Sequence, residues 1–283
     1  MQKIFITIIC LIGLSVSFSY AESVAAARSA YDKKDYKAAY DLFLIEAKKG
    51  NAEAQFYLGV MYSNGRGVLQ DYIEAVKWYK LAAEKGNEAA QFNLGVIYQE
   101  GHGVLPDYKE AVKWYRLAAE HGNVKAQCNL GLIYYNGQGV FPDYKEAVKW
   151  YKLAAEQGNS MAKNDLGLIY AKGGFGVLQD HNEAIEWWRL ASEQGNTMAQ
   201  YNLGLMYDRG QGVSQDCKEA VKWWGLAAEG GHAPAKCRLA EMYATGSGIE
   251  KDLTKAKRLA KEGFDAGAWE CQLVWKEYDL ANY

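Results

Sequence analysis

The sequence predicts an all-α fold of the solenoid class, in which one short helix pair is copied along the chain. The string at 58–62 recurs, with its leading leucine 36, 36, 36, 37 and 36 residues further on each time. Glycine supplies 29 of 283 residues against only 3 prolines, and the glycines return at fixed places in the period. Within each period the apolar residues follow helical spacing rather than the alternation typical of strands.

The composition excludes disordered and nucleic-acid-binding classes. Hydrophobic residues make up 49% and charged residues 23%, so the chain can bury a large core. A net charge of −2 gives no basic surface of the kind that nucleic acid requires.

Residues 1–21 are predicted to be a Sec-type signal peptide. Lys3 is the only charge before Glu22, an apolar run follows at 4–14, and Ser19-Tyr20-Ala21 has small residues at the −3 and −1 positions. The run is shorter than the roughly 20 residues of a membrane span. We expect export to the periplasm or beyond, without a membrane span after cleavage; retention of the segment as an anchor is left open.

The first helix of each unit begins after a Gly-Asn pair such as Gly86-Asn87, because asparagine is a good N-cap and glycine can end the preceding helix in a left-handed conformation. Ala90, Leu94 and Ile97 then form an apolar stripe. Gly95 interrupts this helix at a cost of roughly 1 kcal/mol relative to alanine. We therefore expect a neighbouring helix to approach too closely there for a side chain.

A Gly-x-Gly-Val loop follows, and the one 37-residue period carries its extra residue in the glycine-rich loop at 173–176. The second helix begins at an aspartate such as Asp71, and Glu74 three residues later suggests a capping box. Ala75, Trp78 and Ala82 continue the apolar stripe.

These signals divide the mature chain into six repeats and two atypical ends. We expect an N-terminal helix pair at 22–50 and a C-terminal capping helix at 268–283. The repeats are predicted at 51–86, 87–122, 123–158, 159–195, 196–231 and 232–267.

A pair of about 36 residues with Leu-Gly-x-x-Tyr, Gly-x-Gly-Val, Trp-Tyr-x-x-Ala-Ala and Gly-Asn resembles the Sel1-like repeat, a relative of the tetratricopeptide repeat. The resemblance implies a right-handed α/α superhelix whose first helices line a concave groove. It also implies a scaffold or adaptor for other proteins, and exported bacterial members include envelope assembly factors and proteins that meet host cells.

No catalytic or metal-binding pattern is found. Ser160-Met161-Ala162-Lys163 spells the Ser-x-x-Lys motif of β-lactam-recognising enzymes, but other repeats carry ordinary residues at these positions, and no companion motif is present. The four histidines lack ligand spacing. We expect no enzyme activity, cofactor or metal, and we keep a β-lactam-binding protein as one alternative.

The mature chain keeps four cysteines, and export favours disulfides. Cys217 and Cys237 lie about 15 Å out of step on antiparallel helices, which is too far for a bridge. Cys237 with Cys271 is the one pair that remains possible.

The second helix of each of the first five repeats carries two adjacent aromatic residues, in doublets from Trp78-Tyr79 to Trp223-Trp224. We interpret both members as core residues, and we expect the first member to be the more deeply buried. A stacking ladder for envelope glycans, testable at Tyr115 or Trp188, is a second alternative.

The best binding candidates are positions of the first helix that change from repeat to repeat while the core positions of that helix stay the same. We predict a monomer that binds a protein or peptide partner of unknown identity. The expected concave-face residues are Tyr57, Asn93, Asn129, Asp165, Asn202 and Arg238, with Gln99, Tyr135 and Asp208 beside them.

Overall fold

The structure, a computed structural model, describes residues 22–280, and the regular elements in this range are helices. This confirms the predicted all-α class. The predicted signal peptide at 1–21 lies outside the described residues. Within residues 22–280, none of the helices has the length and apolarity needed to cross a membrane.

The described chain divides into two units, at 22–141 and 142–280. Unit 1 begins with helix α1 at 22–32. Its other helices are α2 (Tyr36–Lys48), α3 (Ala52–Asn64), α4 (Tyr72–Ala83), α5 (Glu88–Glu100), α6 (Tyr108–Glu120) and α7 (Val124–Asn136).

Unit 2 begins with α8 and ends with a short helix beyond the last repeat. Its helices are α8 (Tyr144–Glu156), α9 (Ser160–Lys172), α10 (His181–Ser192), α11 (Thr197–Arg209), α12 (Cys217–Glu229), α13 (Ala233–Thr245), α14 (Leu253–Asp265) and α15 (Cys271–Glu277). We call α3, α5, α7, α9, α11 and α13 the A helices, and α4, α6, α8, α10, α12 and α14 the B helices.

The predicted N-caps are confirmed. Asn87 Oδ1 accepts the Ala90 N–H at 2.9 Å at the start of α5, and Asp71 Oδ1 accepts the Ile73 and Glu74 N–H groups at the start of α4. The residue before each A-helix cap has a positive φ, as at Gly86 (+83°), so only glycine adopts this conformation without strain.

The prediction of a capping box, however, is wrong for the glutamate, which does not accept the backbone N–H of the N-cap aspartate. The Asp71 N–H donates to the Tyr62 carbonyl at 2.9 Å, so the Glu74 carboxylate is not needed there. Glu74 instead pairs with Lys77 one turn along α4. A tertiary hydrogen bond from the end of the A helix has therefore replaced the local one, and it fixes where the loop ends.

A helix glycine packs on an aromatic ring in four of the A/B pairs, as expected from Gly95, whereas α13 has Ala240 at this position. A Cβ added at Gly59 would lie 2.5 Å from Tyr79 Cδ1, and Gly95 faces Tyr115 in the same way. In unit 2, Gly167 and Gly204 face Trp188 and Trp224. Any side chain at these glycines would push the two helices apart.

The aromatic doublets are core, but the expected order of their members is wrong. Tyr79 and Trp224 are 2% and 0% exposed, whereas the first members Trp78, Trp187 and Trp223 are only partly buried; Trp114 and Trp150 are buried like their partners. The second member is the one that lies on the A-helix glycine. The first lies 100° away around the helix, and in three of the five doublets it is only partly buried.

The residue after the doublet is basic in four repeats and covers the tyrosine of the next A helix. Lys80 Nζ lies 5.6 Å from the Tyr98 ring centroid, and Arg189 donates to the Tyr207 hydroxyl at 3.0 Å. Gly225 holds this position in α12 and leaves a cavity of about 370 Å³ beside Tyr243.

The end of unit 2 is fastened by a disulfide between Cys237 of α13 and Cys271 of α15, whose Cα atoms lie 4.7 Å apart. Both cysteines are buried in one cluster with Leu259, Val274 and Leu280. Within the described residues the last α-helix is Cys271–Glu277, so residues 268–270 and 278–280 of the expected cap at 268–283 lie outside it.

We predict opposite effects from one added methyl group at two glycines of the fifth repeat. Gly204→Ala should lower the free energy of unfolding by about 1–3 kcal/mol, the usual cost of overpacking, because the methyl would overlap the Trp224 indole. Gly225→Ala should raise it by up to about 1 kcal/mol, since its Cβ would meet open space. Urea denaturation measures both, and equal shifts in one direction would refute the packing account.

Candidate binding face

Each A helix carries four residues on one face, spaced i, i+4, i+7 and i+11. We call this set the A-face stripe. In α9 it is Met161, Asp165, Leu168 and Lys172, and in α11 it is Met198, Asn202, Leu205 and Arg209. The six main candidates from the sequence are the second residue of each stripe, and all six are partly buried.

In unit 1 the buried tyrosines of the B helices reach this face from beneath. The Tyr115 hydroxyl donates to Gln99 Oε1 at 3.0 Å and also hydrogen-bonds the Asn129 side chain. The Tyr79 hydroxyl lies 3.2 Å from Ser63 Oγ and bonds Asn93. Burial raises the pKa of both tyrosines, so they stay neutral donors at physiological pH.

This arrangement changes what substitution of Asn93 and Asn129 should do. Each side chain holds a buried hydroxyl of the preceding repeat, so its removal leaves that hydroxyl short of a partner. We therefore expect the variant with alanine at both positions to melt at a lower temperature than the native protein. The two asparagines therefore support the fold as well as the face.

In α10 and α12 of unit 2 the tyrosine is replaced by tryptophan, whereas α8 keeps Tyr151. Polar groups of the face here pair with one another. The Trp188 and Trp224 indole N–H groups donate to the Asn164 and Tyr201 carbonyls, each at 3.1 Å. Asn202 Nδ2 donates to Asn164 Oδ1 at 3.3 Å, and Asn164 Nδ2 donates to Asp165 Oδ1 at 3.1 Å. A connected network thus crosses α9 and α11.

Asp165 is the acidic member of this network. It also bonds Tyr151, and burial raises its pKa despite the two hydrogen bonds, which act in the opposite direction. Repeats two, three and five have asparagine at this position. A carboxylate there costs stability at neutral pH, which points to a use beyond folding.

The remaining candidates lie at the two ends or the edge of the face. Tyr57 stacks on Phe43 with ring centroids 4.6 Å apart, so it belongs to the core of unit 1. Arg238 pairs with Glu241 at 3.2 Å and lines a cavity of about 240 Å³. Tyr135 and Asp208 are partly buried near the C-terminal ends of their helices.

Sequence reasoning missed a buried glutamine in the first turn of the A helices. Gln55, Gln91 and Gln127 each donate Nε2 to the last-turn carbonyl of the helix before, at 3.1 Å. The signal was visible as a glutamine at one position of four repeats.

Lys163 of the Ser-x-x-Lys string occupies the position that holds this glutamine in other repeats. Its Nζ donates to Gln194 Oε1 at 3.1 Å in the orientation that satisfies that amide, which is a structural use of the lysine.

Two sets of exposed apolar side chains were also missed because they lie off the core stripe. One is on the A-face stripes: Met161, Leu168 and Met198 are 53%, 39% and 39% exposed. The other is at the loop tips, where the exposed residues are Leu69, Leu105, Phe141 and Leu178.

The two residues at which glycan stacking was to be tested are buried. Tyr115 and Trp188 are 1% and 2% exposed, so neither can offer a ring face to a sugar. In the described part of the chain, no cluster of three or more His, Cys, Asp or Glu residues has the arrangement of a metal site.

Comparison with known proteins agrees with the repeat pattern. The sequence model of the Sel1 repeat matches residues 52–87, 88–123, 124–159, 160–196, 197–232 and 233–267. No curated protein matches the chain.

Two solved structures share 37% sequence identity with the chain. A protective antigen present in uropathogenic Escherichia coli strains, which displays an SLR fold, gives a TM-score of 0.82 over 93% of this chain. The chain spans 57% of that protein's length. A Sel1 repeat protein from Oxalobacter formigenes gives a TM-score of 0.69, over 86% of this chain and 99% of the other.

We predict that Asp165→Asn stabilises the protein at neutral pH. A raised native pKa favours the protonated form. The contribution of Asp165 to the free energy of unfolding is therefore fully present below the pKa of the unfolded state, and it is lost as pH rises through the native pKa. The variant should therefore have the higher urea midpoint at pH 7, and the difference should vanish as pH falls below about 4. Asp41→Asn, at an exposed site of α2, is the control. A pH-independent difference for Asp165→Asn would contradict the electrostatic cause.

Proposed function

Because the chain belongs to the Sel1 repeat family, whose members generally mediate protein–protein interaction, we propose that it is an exported, non-catalytic scaffold. In this proposal it binds a protein or peptide partner through the A-face stripes. The observation that carries the proposal is the pattern in unit 2, where exposed methionine and leucine side chains surround a connected polar network.

The contrast between core and face supports recognition as the role of the stripes. The core position keeps leucine in Leu94, Leu166 and Leu203, each fully buried. The neighbouring stripe position changes from asparagine to aspartate and back, and it becomes Arg238 in the last repeat. Core residues that stay the same in every repeat, with face residues that differ from repeat to repeat, suit binding to one specific partner.

Three observations support export. Residues 1–21 have the pattern of a signal peptide. The Cys237–Cys271 disulfide suits an oxidising compartment. One structural relative at 37% identity is a protective antigen, which supports a role at the cell envelope or toward a host.

The redox state of the cysteines tests export. In cells that express the full chain, Cys237 and Cys271 should resist maleimide labelling after denaturation until a reductant is added. In a chain without residues 2–21 all four mature cysteines should react at once, because the cytoplasm keeps thiols reduced. Immediate labelling of all four in the full chain would contradict the proposal.

Site-specific photocrosslinking tests the binding face. A benzophenone amino acid at Leu168 of α9 should capture a discrete partner in intact cells, and the same group at Leu190 of α10 should not. The two leucines are 39% and 41% exposed in the same unit, so they form a matched pair. Equal capture at both positions, or capture only at Leu190, would overturn the assignment of the face.

A further inference from the structure

We infer that the A-face of unit 2 binds a peptide segment with one basic side chain between apolar side chains, the basic group lying on Asp165. The inference rests on the proposed function and names the class of partner. It concerns α9 and α11, which lie side by side in unit 2. Its parts are an apolar surface, a single carboxylate within it, and a rigid network that holds the carboxylate in place.

The apolar surface is formed by residues two turns apart on the two helices. Met161 and Leu168 are separated by seven residues on α9, as are Met198 and Leu205 on α11, so each pair shares one face. Three of the four are well exposed. Methionine adapts its shape to different apolar partners, and four such side chains together make a patch rather than scattered surface residues.

Asp165 lies between Met161 and Leu168 on the same stripe. Asn164 and Tyr151 hydrogen-bond its carboxylate, and neither is a cation. A partly buried carboxylate that is flanked on its stripe by apolar side chains favours a partner that brings the missing positive charge. A lysine or arginine flanked by apolar residues satisfies both the charge and the surface.

The network beneath Asp165 keeps the carboxylate ready for such a partner. Asn164 joins Asp165 to Asn202, and its own carbonyl accepts the Trp188 indole N–H. Because Trp188 is buried against Gly167, the network is anchored in the core. Little ordering entropy should be lost at this side when a peptide binds.

The charges around the patch define where the rest of the peptide can lie. Lys172 and Arg209 end the two stripes one turn beyond Leu168 and Leu205. On the side of α13 and α15, Glu270 and Glu277 line the cavity that also contains the Arg238–Glu241 pair. A basic peptide residue is therefore favoured at Asp165 and toward α13, and disfavoured at the C-terminal ends of α9 and α11.

Unit 1 offers an internal comparison, because its stripes have no carboxylate at the second position. Glu53 and Glu100 lie at the ends of the α3 and α5 stripes, where Arg28 and His102 pair with them. The corresponding residues are Ala89, Asn93 and Val96 on α5. The α7 stripe has Leu132 exposed, but Asn129 stands at the place of Asp165. A carboxylate at the second stripe position is thus found in the fourth repeat and in none of the other five.

Selection from a random peptide phage library on the immobilised mature chain tests the inference. We expect enriched peptides to share one lysine or arginine flanked by apolar residues. A synthetic peptide of that sequence should bind more tightly than its norleucine analogue. Asp165→Asn should reduce that preference by about tenfold or more, the size typical of losing a charge partner at an interface.

Further variants separate the apolar from the charged contribution. Met161→Ser combined with Met198→Ser should weaken both peptides alike, and Leu178→Ser, at an exposed loop tip of the same unit, should weaken neither. Enriched peptides without a basic residue, or a norleucine analogue that binds equally well, would overturn the inference. The proposed function, binding of a peptide by this face, would still be supported. A library that yields no peptide would count against both the inference and the proposed function.

Discussion

The contact between a helix glycine and an aromatic ring is the constraint on which the repeat depends. Gly59 lies on Tyr79 and Gly204 lies on Trp224, with no room for a methyl group between them. The close approach sets the distance between the helices of a pair, so that Leu58 and Leu203 become fully buried. Helices of about 13 residues are marginal in isolation, and this packing provides the tertiary stabilisation they need.

The choice of ring in this contact also shapes the binding face. Tyrosine carries its hydroxyl through to the A-face, where Tyr115 engages Gln99 and Asn129. Tryptophan uses its N–H internally, as Trp188 does toward the Asn164 carbonyl. With tryptophan beneath them, the Asn164 and Asn202 side chains pair with each other, whereas Tyr151 of α8 still bonds Asp165 as Tyr115 bonds Asn129.

Local rules predicted the fold well because its signals are local and recur. The caps at Asn87 and Asp71 and the close approach at Gly95 follow from residue type and spacing alone, and the structure has them. Tertiary contacts explain the errors. The Tyr62 carbonyl replaced the capping box at Asp71, and helix phase placed Tyr79, rather than Trp78, on the glycine.

The binding face was harder to predict, because a search for apolar periodicity overlooks buried polar residues. Gln91 is 2% exposed and closes the end of the preceding helix, yet it looks like an ordinary first-turn residue. Asn93 and Asp165 lie on the A-face stripes, but their ties to Tyr79 and Tyr151 depend on contacts between repeats. Only three-dimensional packing reveals that Asp165 is partly buried and tied to Asn164 and Tyr151.

Methyl NMR of the methionines tests the central claim, that the A-face of unit 2 recognises the partner while the core frame stays fixed. Met161 and Met198 are exposed on that face, whereas Met61, Met206 and Met242 are buried. On addition of a library-selected peptide, the Met161 and Met198 methyl resonances should shift, and the other three should stay in place. Shifts at the buried methionines without shifts at Met161 and Met198 would contradict the account.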